Sequence, residues 1–342
     1  MNPSLVGSEM CIRDRSNMTQ LTVERIADSN QQRIDDEVFP LLLQAPKDAA
    51  MDAVLDWVVT HRQALQSQLS QHGAIILRGF GIADSDQFDR LIRAFDWPNF
   101  TYAESLSNAV RRNRTERVFT ANEAPSSVSI YLHHEMAQTP VYPSRLLFFC
   151  QQAAESGGKT PICRSDLLLS RLRHSCPDFV DACEALGVRY SQTMPADEDL
   201  NSGQGRSWRS TLSVTDRQQA EQRLQKLGYR WDWQRDDGLR VTTPVLPAVL
   251  TLPSGAKVFF NQLIAAYRGW QDARNQADKS ICLGDGSAID VNAMGTAIAL
   301  ADELTFDIDW QTGDVALLDN FLVMHGRRTF TGERRVLASL VA

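Results

Sequence analysis

From about residue 117 to its end, this 342-residue chain consists largely of short runs of β-branched and aromatic residues broken by turn-formers. The runs are VSIYLHHEM, SRLLFFCQQA, VRYSQTM, YRWDWQ, LRVTTPV, KVFFNQL, DVALLDN and RRVLASLVA. Short strands between turns predict a sandwich or barrel of the jelly-roll kind, a double-stranded β-helix. Ahead of them, residues 49–72 carry Ala, Val, Leu and Trp57 at helical spacing, and GAIILRGF (73–80) is an apolar run ended by glycine. That pattern predicts a helix followed by a strand. A second amphipathic helix is predicted over SDQFDRLIRAFDW (85–97), with Phe88, Leu91, Ile92 and Phe95 spaced three and four apart after a capping residue.

Helical patterns interrupt the β region at 165–186, 214–227 and 290–304, while 195–213 and 262–289 are rich in Gly, Ser, Asp, Asn and Arg. The latter two predict long loops of the kind that act as lids. No internal repeat or low-complexity tract stands out. The expected architecture is mainly β with α insertions: one jelly-roll domain over residues 18–342 with an N-terminal helical layer. The first 17 residues, MNPSLVGSEMCIRDRSN, share no periodicity with the rest, and SLVGSEMCIRDR resembles translated sequencing-adapter sequence. They are expected to be a non-native extension, with Met18 as the natural start and Cys11 no part of the protein.

Composition narrows the function. At 43% hydrophobic residues the chain can supply a core, and 35 Lys and Arg are scattered among 42 Asp and Glu for a net charge of -7. Without a basic stripe, a nucleic-acid partner has little support. No run approaches the roughly 18 apolar residues of a membrane span and no leader pattern opens the chain, so a cytoplasmic protein with no membrane partner is expected. The six cysteines form no CxxC pair and read as small buried hydrophobes, not as disulfides or a thiolate zinc site. Nothing in the sequence speaks to the oligomeric state.

Only six histidines are present, at 61, 72, 133, 134, 174 and 325. In YLHHEMAQTP (131–140), His133 and Glu135 are two apart, and on a strand residues i and i+2 face the same side. His134 then points the other way. A third candidate is His325, in GDVALLDNFLVMHGRRTF, where a strand-like run ends in Asp319 and Asn320. Two histidines and a carboxylate on one face of a metal, with three positions left open, is the arrangement of non-haem Fe(II) oxygenases. Taken alone, HxE is also an ordinary surface pair. A zinc hydrolase is the competing use of such donors, but the helical HExxH it commonly needs is absent, as is a GxSxG nucleophile motif.

The company of these residues is more specific. EMAQTPVYP after the HxE, SGGKTPICRSD (156–166), FFNQL (259–263) and LLDNFLVMHGRRTFTGERRVL occur in an order that resembles the TauD/TfdA superfamily of Fe(II)- and 2-oxoglutarate-dependent dioxygenases. The resemblance spans most of 70–342. HxEMA is more similar to the clavaminate synthase-like and syringomycin-type amino-acid hydroxylase branch than to taurine dioxygenase, which uses HxD.

The resemblance implies Fe(II) held by His133, Glu135 and His325, with 2-oxoglutarate and O2 as co-substrates. It further implies a Thr and an Arg on the distal carboxylate of 2-oxoglutarate. By motif position these are Thr160 of GGKTP and Arg335 of GERRVL, preferred over the adjacent Arg334. An arginine suits the task because its planar fork binds a carboxylate bidentately and keeps its charge. Arg327 and Arg328, beside the distal His, read as structural or surface residues.

The related halogenases lose the carboxylate ligand, so Glu135 favours hydroxylation of an unactivated C–H bond, with desaturation or ring closure left open. In taurine dioxygenase an arginine four positions beyond the co-substrate arginine contacts the sulfonate; here that place holds Ser339, which argues against a sulfonate. The implied substrate is a small molecule, an amino acid that is free or tethered to a carrier protein. Candidate contacts are Asn122, Arg206, Arg209, Asn261 and Gln262. The alternative from another class is a catalytically silent jelly-roll binding protein.

Overall fold

Two facing sheets organise the molecule in the computed structural model, which describes residues 21–342. Segment 1–17, Met18 and Cys11 lie outside the described residues. The larger sheet has seven strands, in the spatial order Glu24–Ile26, Leu41–Gln44, Ala74–Arg78, Val315–Asp319, Arg145–Gln152, Arg335–Val341 and Phe119–Thr120. The smaller runs Thr305–Ile308, Thr160–Arg164, Val323–Arg327, Ile130–His133. Pairing is antiparallel throughout these two sheets except between Leu41–Gln44 and Ala74–Arg78. They form a jelly roll that does not close into a barrel.

Alternation along the strands sorts the residues into layers. On the large sheet Ile76, Phe148, Cys150, Ala316, Leu318, Val336 and Ala338 face inward and meet Ile162, Val323, Phe306 and Ile308. Their neighbours Ile75, Leu77, Leu147, Phe149, Leu317 and Leu337 face outward onto the helices Met51–His72 and Ser85–Ala94, through Val54, Val58, Leu65, Leu69, Phe88, Leu91 and Ile92. With both faces covered, Arg145–Gln152 needs a continuous apolar run, LLFFC, rather than an alternating one. Each such side chain contributes about 1.5–3 kcal/mol on leaving water. The helices form the expected N-terminal layer.

Helix starts follow local chemistry. The carboxylate of Asp84, not Ser85, caps Ser85–Ala94 by accepting from the Gln87 amide at 2.8 Å, and Asp216 and Asp290 do the same for Arg217–Leu227 and Val291–Glu303. The 165–186 pattern is two helices, Ser165–Ser175 and Pro177–Leu186, because Pro177 can begin a helix but not continue one. The two presumed loops also carry structure. Trp208–Leu212 is helical within the first, and Leu263–Gly269 is helical within the second ahead of the strand Ile281–Leu283. Buried Trp208, Leu263 and Ile264 supply apolar anchors that a count of polar residues overlooks. Cys150, Cys163 and Cys183 are buried and all five described cysteines are free. Among the described residues no helix is long and apolar enough to cross a membrane.

Close approach at Gly326 joins the strand Val323–Arg327 to Ile130–His133, which pair His325 with His133 and then shift register before Arg327 pairs with Ile130. A Cβ on Gly326 would sit 2.4 Å from the Ile130 carbonyl oxygen. Gly326→Ala should therefore force the two strands apart and lose about 1–3 kcal/mol, measured as a lower urea midpoint, with weakened metal binding beside it. An unchanged midpoint would contradict this packing.

Candidate metal centre and its cavity

Adjacent strands of the small sheet bring two histidines together: His133 ends Ile130–His133, His325 is its cross-strand partner, and their rings lie 4.4 Å apart. Glu135 is not on the strand. It sits in the turn that follows, where Met136 takes a left-handed φ of 59°. The strand pleat therefore does not aim Glu135; Asn320 does. Its side-chain oxygen accepts from the Glu135 amide at 2.8 Å, and its nitrogen donates to the carbonyls of Glu135 at 3.0 Å and Pro143 at 2.8 Å.

One ligand atom each of His133, Glu135 and His325 lies within 4.8 Å of the others. Glu135 Oε2 stands 3.3 Å from His325 Nε2 and 3.9 Å from His133 Nε2. The His133 Nδ1 donates to the Tyr131 carbonyl at 2.7 Å, so its Nε2 presents a lone pair to that oxygen. Lone pairs facing a carboxylate repel unless a cation stands between them. The buried Nδ1 of His325 has no partner among the described residues. These donors fit a divalent ion with nitrogen and oxygen ligands.

Electrostatics agree. Burial alone would raise the Glu135 carboxyl, but the charge of Arg111 and the two imidazoles together hold it well below the usual carboxylate range. Burial and the neighbouring His133 push His325 down to about 4, leaving a neutral ring that can ligate. His134 points away, as expected. Its Nδ1 donates to the Asn320 carbonyl and its Nε2 accepts from the Ser165 hydroxyl at 2.7 Å, and burial drives it down to about 3.

The three donors lie on the floor of a cleft enclosing about 1060 Å³, part of it open to solvent. Its roof comes from Asn201–Gln204 and Gly269–Gln271, both in the segments expected to be lids. Thr160, buried at the start of its strand, lines the wall, and its hydroxyl accepts from Trp310 Nε1 at 2.9 Å. Beside it is Arg334, whose Nη2 lies 3.4 Å from the Thr160 oxygen and whose Nε donates to the Gly158 carbonyl at 2.9 Å. Arg335 is not in the cleft. It is exposed and donates to Glu333 at 2.9 Å. Arg334 immediately precedes the strand Arg335–Val341 and lines the same cavity as Val336, while Arg335 between them faces away.

Of the five candidate substrate contacts, Asn122 and Gln262 line the cleft and three do not. Arg206 is buried elsewhere, donating to the carbonyls of Tyr102, Ser105 and Ser107. Arg209 reaches the Ala196 carbonyl and Asp237. Asn261 donates to the Ala248 carbonyl and accepts from the Leu263 amide. All three are engaged by structural partners. Arg327 is structural as expected, its guanidinium donating to the carbonyls of Asn122, Ala124, Pro125 and Val128. Sequence reading missed Arg111, because AVRRNRTERV looks like a solvated basic run and nothing local says which arginine turns inward.

Comparison with known proteins now decides the family. The profile of the taurine catabolism dioxygenase TauD, TfdA family matches residues 37–340. The chain belongs to that family. Its members are 2-oxoglutarate-dependent dioxygenases, and Fe(II) and 2-oxoglutarate are the cofactor and co-substrate that the donor set above accommodates. A clavaminate synthase-like protein of Arabidopsis thaliana is 34% identical over 330 residues, covering 94% of this chain and 99% of its own. The dapdiamide synthesis protein DdaC of Enterobacter agglomerans is 29% identical over 321 residues, covering 89% and 94%. In fold the dioxygenase is similar to PvcB of Pseudomonas aeruginosa, with a TM-score of 0.53 at 15% identity over 95% of this chain and 92% of that one.

Asn320→Ala would leave the Glu135 amide and carbonyl without partners in a buried place, at about 1–3 kcal/mol for each orphaned group. We expect a lower denaturation midpoint and weaker Mn(II) binding by calorimetry. Metal affinity equal to wild type would remove Asn320 from this role.

Proposed function

We propose that the protein hydroxylates an unactivated C–H bond of an amino-acid-like metabolite, with His133, Glu135 and His325 holding Fe(II) and Arg334 with Thr160 holding 2-oxoglutarate. The observation that carries this reading is the convergence of two imidazole nitrogens and one carboxylate oxygen on one point, in a cleft that also contains a half-buried arginine beside a buried threonine. Fe(II) with 2-oxoglutarate and O2 supplies the oxidising power: the co-substrate leaves as succinate and CO2, and one oxygen atom enters the substrate C–H bond.

The chain's own residues bind, orient and shield. Burial and the neighbouring Arg327 lower the Arg334 guanidinium only to about 10, so at neutral pH it retains the charge that a dicarboxylate needs. Trp310 holds the Thr160 hydroxyl as an acceptor, which leaves the hydroxyl proton free to be donated to a carboxylate oxygen. Tyr131 fixes the His133 tautomer, and the roof segments narrow the opening above the floor.

The lining favours a polar substrate. Beside Tyr131, Phe148 and Trp270, the cleft has the side-chain oxygens of Gln138 and Gln204, which lack a partner among the described residues, and Asn108, Asn122, Gln262 and Arg111 are nearby. Two relatives agree with a small nitrogenous substrate: one is named for dapdiamide synthesis, and an asparagine oxygenase of similar fold was solved with Fe(II), 3-hydroxyasparagine and succinate. The substrate could reach the cleft free or on a carrier protein. With Arg334 on the co-substrate, the place four residues on is Ala338 instead of Ser339; neither can hold a sulfonate. Glu135 takes the position a halide would need, which favours hydroxylation over halogenation.

Anaerobic addition of Fe(II) and 2-oxoglutarate should produce a weak visible charge-transfer band, lost in His133→Ala and in His325→Ala. No band from folded wild type would sink the reading. Succinate release, screened with amino acids, betaines, sulfonates and carrier-tethered aminoacyl groups, should pick out the amino acids or their tethered forms. For the co-substrate, Arg334→Ala should raise the half-saturating 2-oxoglutarate at least tenfold, the order of one lost charge-assisted contact of about 1.5–3 kcal/mol, whereas Arg335→Ala should change it little. The reverse result would return the role to Arg335.

A further inference from the structure

Arg111 divides the two oxygens of Glu135. Its Nη2 donates to Oε1 at 3.2 Å, while Oε2 alone faces His325 and His133. Both side chains are buried, and the guanidinium rests over the Phe119 ring at 5.3 Å from its centroid. Among the described residues no other side chain donates a hydrogen bond to Oε1. Asn320 holds the Glu135 backbone from the amide and the carbonyl, so the carboxylate can turn but its main chain cannot shift.

We propose that Arg111 is a positioning residue that restricts Glu135 to binding the metal through one oxygen. The proposal rests on the reading above, in which His133, Glu135 and His325 hold Fe(II). Octahedral coordination has a fixed count: two imidazoles and one carboxylate oxygen leave three positions, which 2-oxoglutarate, binding through two atoms, and O2 require. A carboxylate that closed on the metal with both oxygens would take one of these three. Arg111 prevents this by occupying Oε1.

At a pH where Glu135 stays ionised, removing the guanidinium has two effects of the same sign. Oε1 becomes a buried acceptor without a donor, and the cation left nearby to satisfy it is the metal. A positive charge beside a divalent cation is also lost, which strengthens metal binding. The metal should then be held as tightly or more tightly, and 2-oxoglutarate more weakly. A residue that merely stabilised the fold would not separate the two.

The test is Co(II) titration of metal-free wild type, Arg111→Met and Arg111→Lys, followed by 2-oxoglutarate titration read from the Co(II) spectrum, with melting curves alongside. Arg111→Met should bind Co(II) at least as tightly as wild type while 2-oxoglutarate weakens by about tenfold to a hundredfold, the range for a group behind a metal ligand. Arg111→Lys, which keeps a donor and a charge, should recover most of the loss. If Arg111→Met does not fold, Arg111→Leu, which also lacks a donor, carries the same comparison. Co(II) and 2-oxoglutarate weakening together, or neither changing, overturns the proposal. Failure of wild type to give the Fe(II) and 2-oxoglutarate band would instead overturn the reading it rests on.

Discussion

The cross-strand pairing of His133 with His325 is the constraint around which the candidate site is built. Two residues 192 positions apart in the chain become neighbours because Ile130–His133 and Val323–Arg327 share a ladder, and the ladder closes only where Gly326 lets the Ile130 carbonyl approach. Glu135 joins them from a turn that has no ladder to hold it, so Asn320 supplies the missing backbone partners. The strand pair in turn depends on the layers behind it: the large sheet on one side, and on the other the helices Ser165–Ser175, Pro177–Leu186 and Val291–Glu303 covering Cys163 and Met324.

Two buried arginines and a half-buried one surround one cavity, and their partners distinguish them more than their chemistry does. Arg327 donates through its two terminal nitrogens to four backbone carbonyls and fixes the 122–128 segment. Arg334 keeps a donor beside Thr160, where a dicarboxylate could complete it. Arg111 is paired with Glu135 and compensates a carboxylate that burial would otherwise disfavour. Burying a cation is costly without such partners. Each guanidinium is therefore committed to a partner that is rigid, charged or, for Arg334, awaiting a ligand.

Much of this was legible in the residues. The LLFFC run, the helical spacing at 51–72 and the punctuated strands after 117 carry their own burial pattern, because periodicity reflects which faces meet a core. His133, Glu135 and His325 could be picked out since histidines are few and the HxE and DNFLVMHG strings are ordered. Arg335 could not be separated from Arg334 by motif position. Arg334 lies just ahead of the strand Arg335–Val341, and which of the two turns inward depends on the pairing with Arg145–Gln152, whose register slips between Arg335 and Val336. Arg206, Arg209 and Asn261 looked like free polar groups because the partners that engage them lie on other segments.

The sequence by itself determined the jelly-roll layering, the family and the three candidate donors, since all of these rest on local patterns of apolar, turn and ligand residues. Tertiary structure alone decided which of two adjacent arginines enters the cleft, that Asn320 aims Glu135, and that Arg111 stands behind it. Those facts depend on strand register and on contacts between segments far apart in the chain, and no local pattern encodes them.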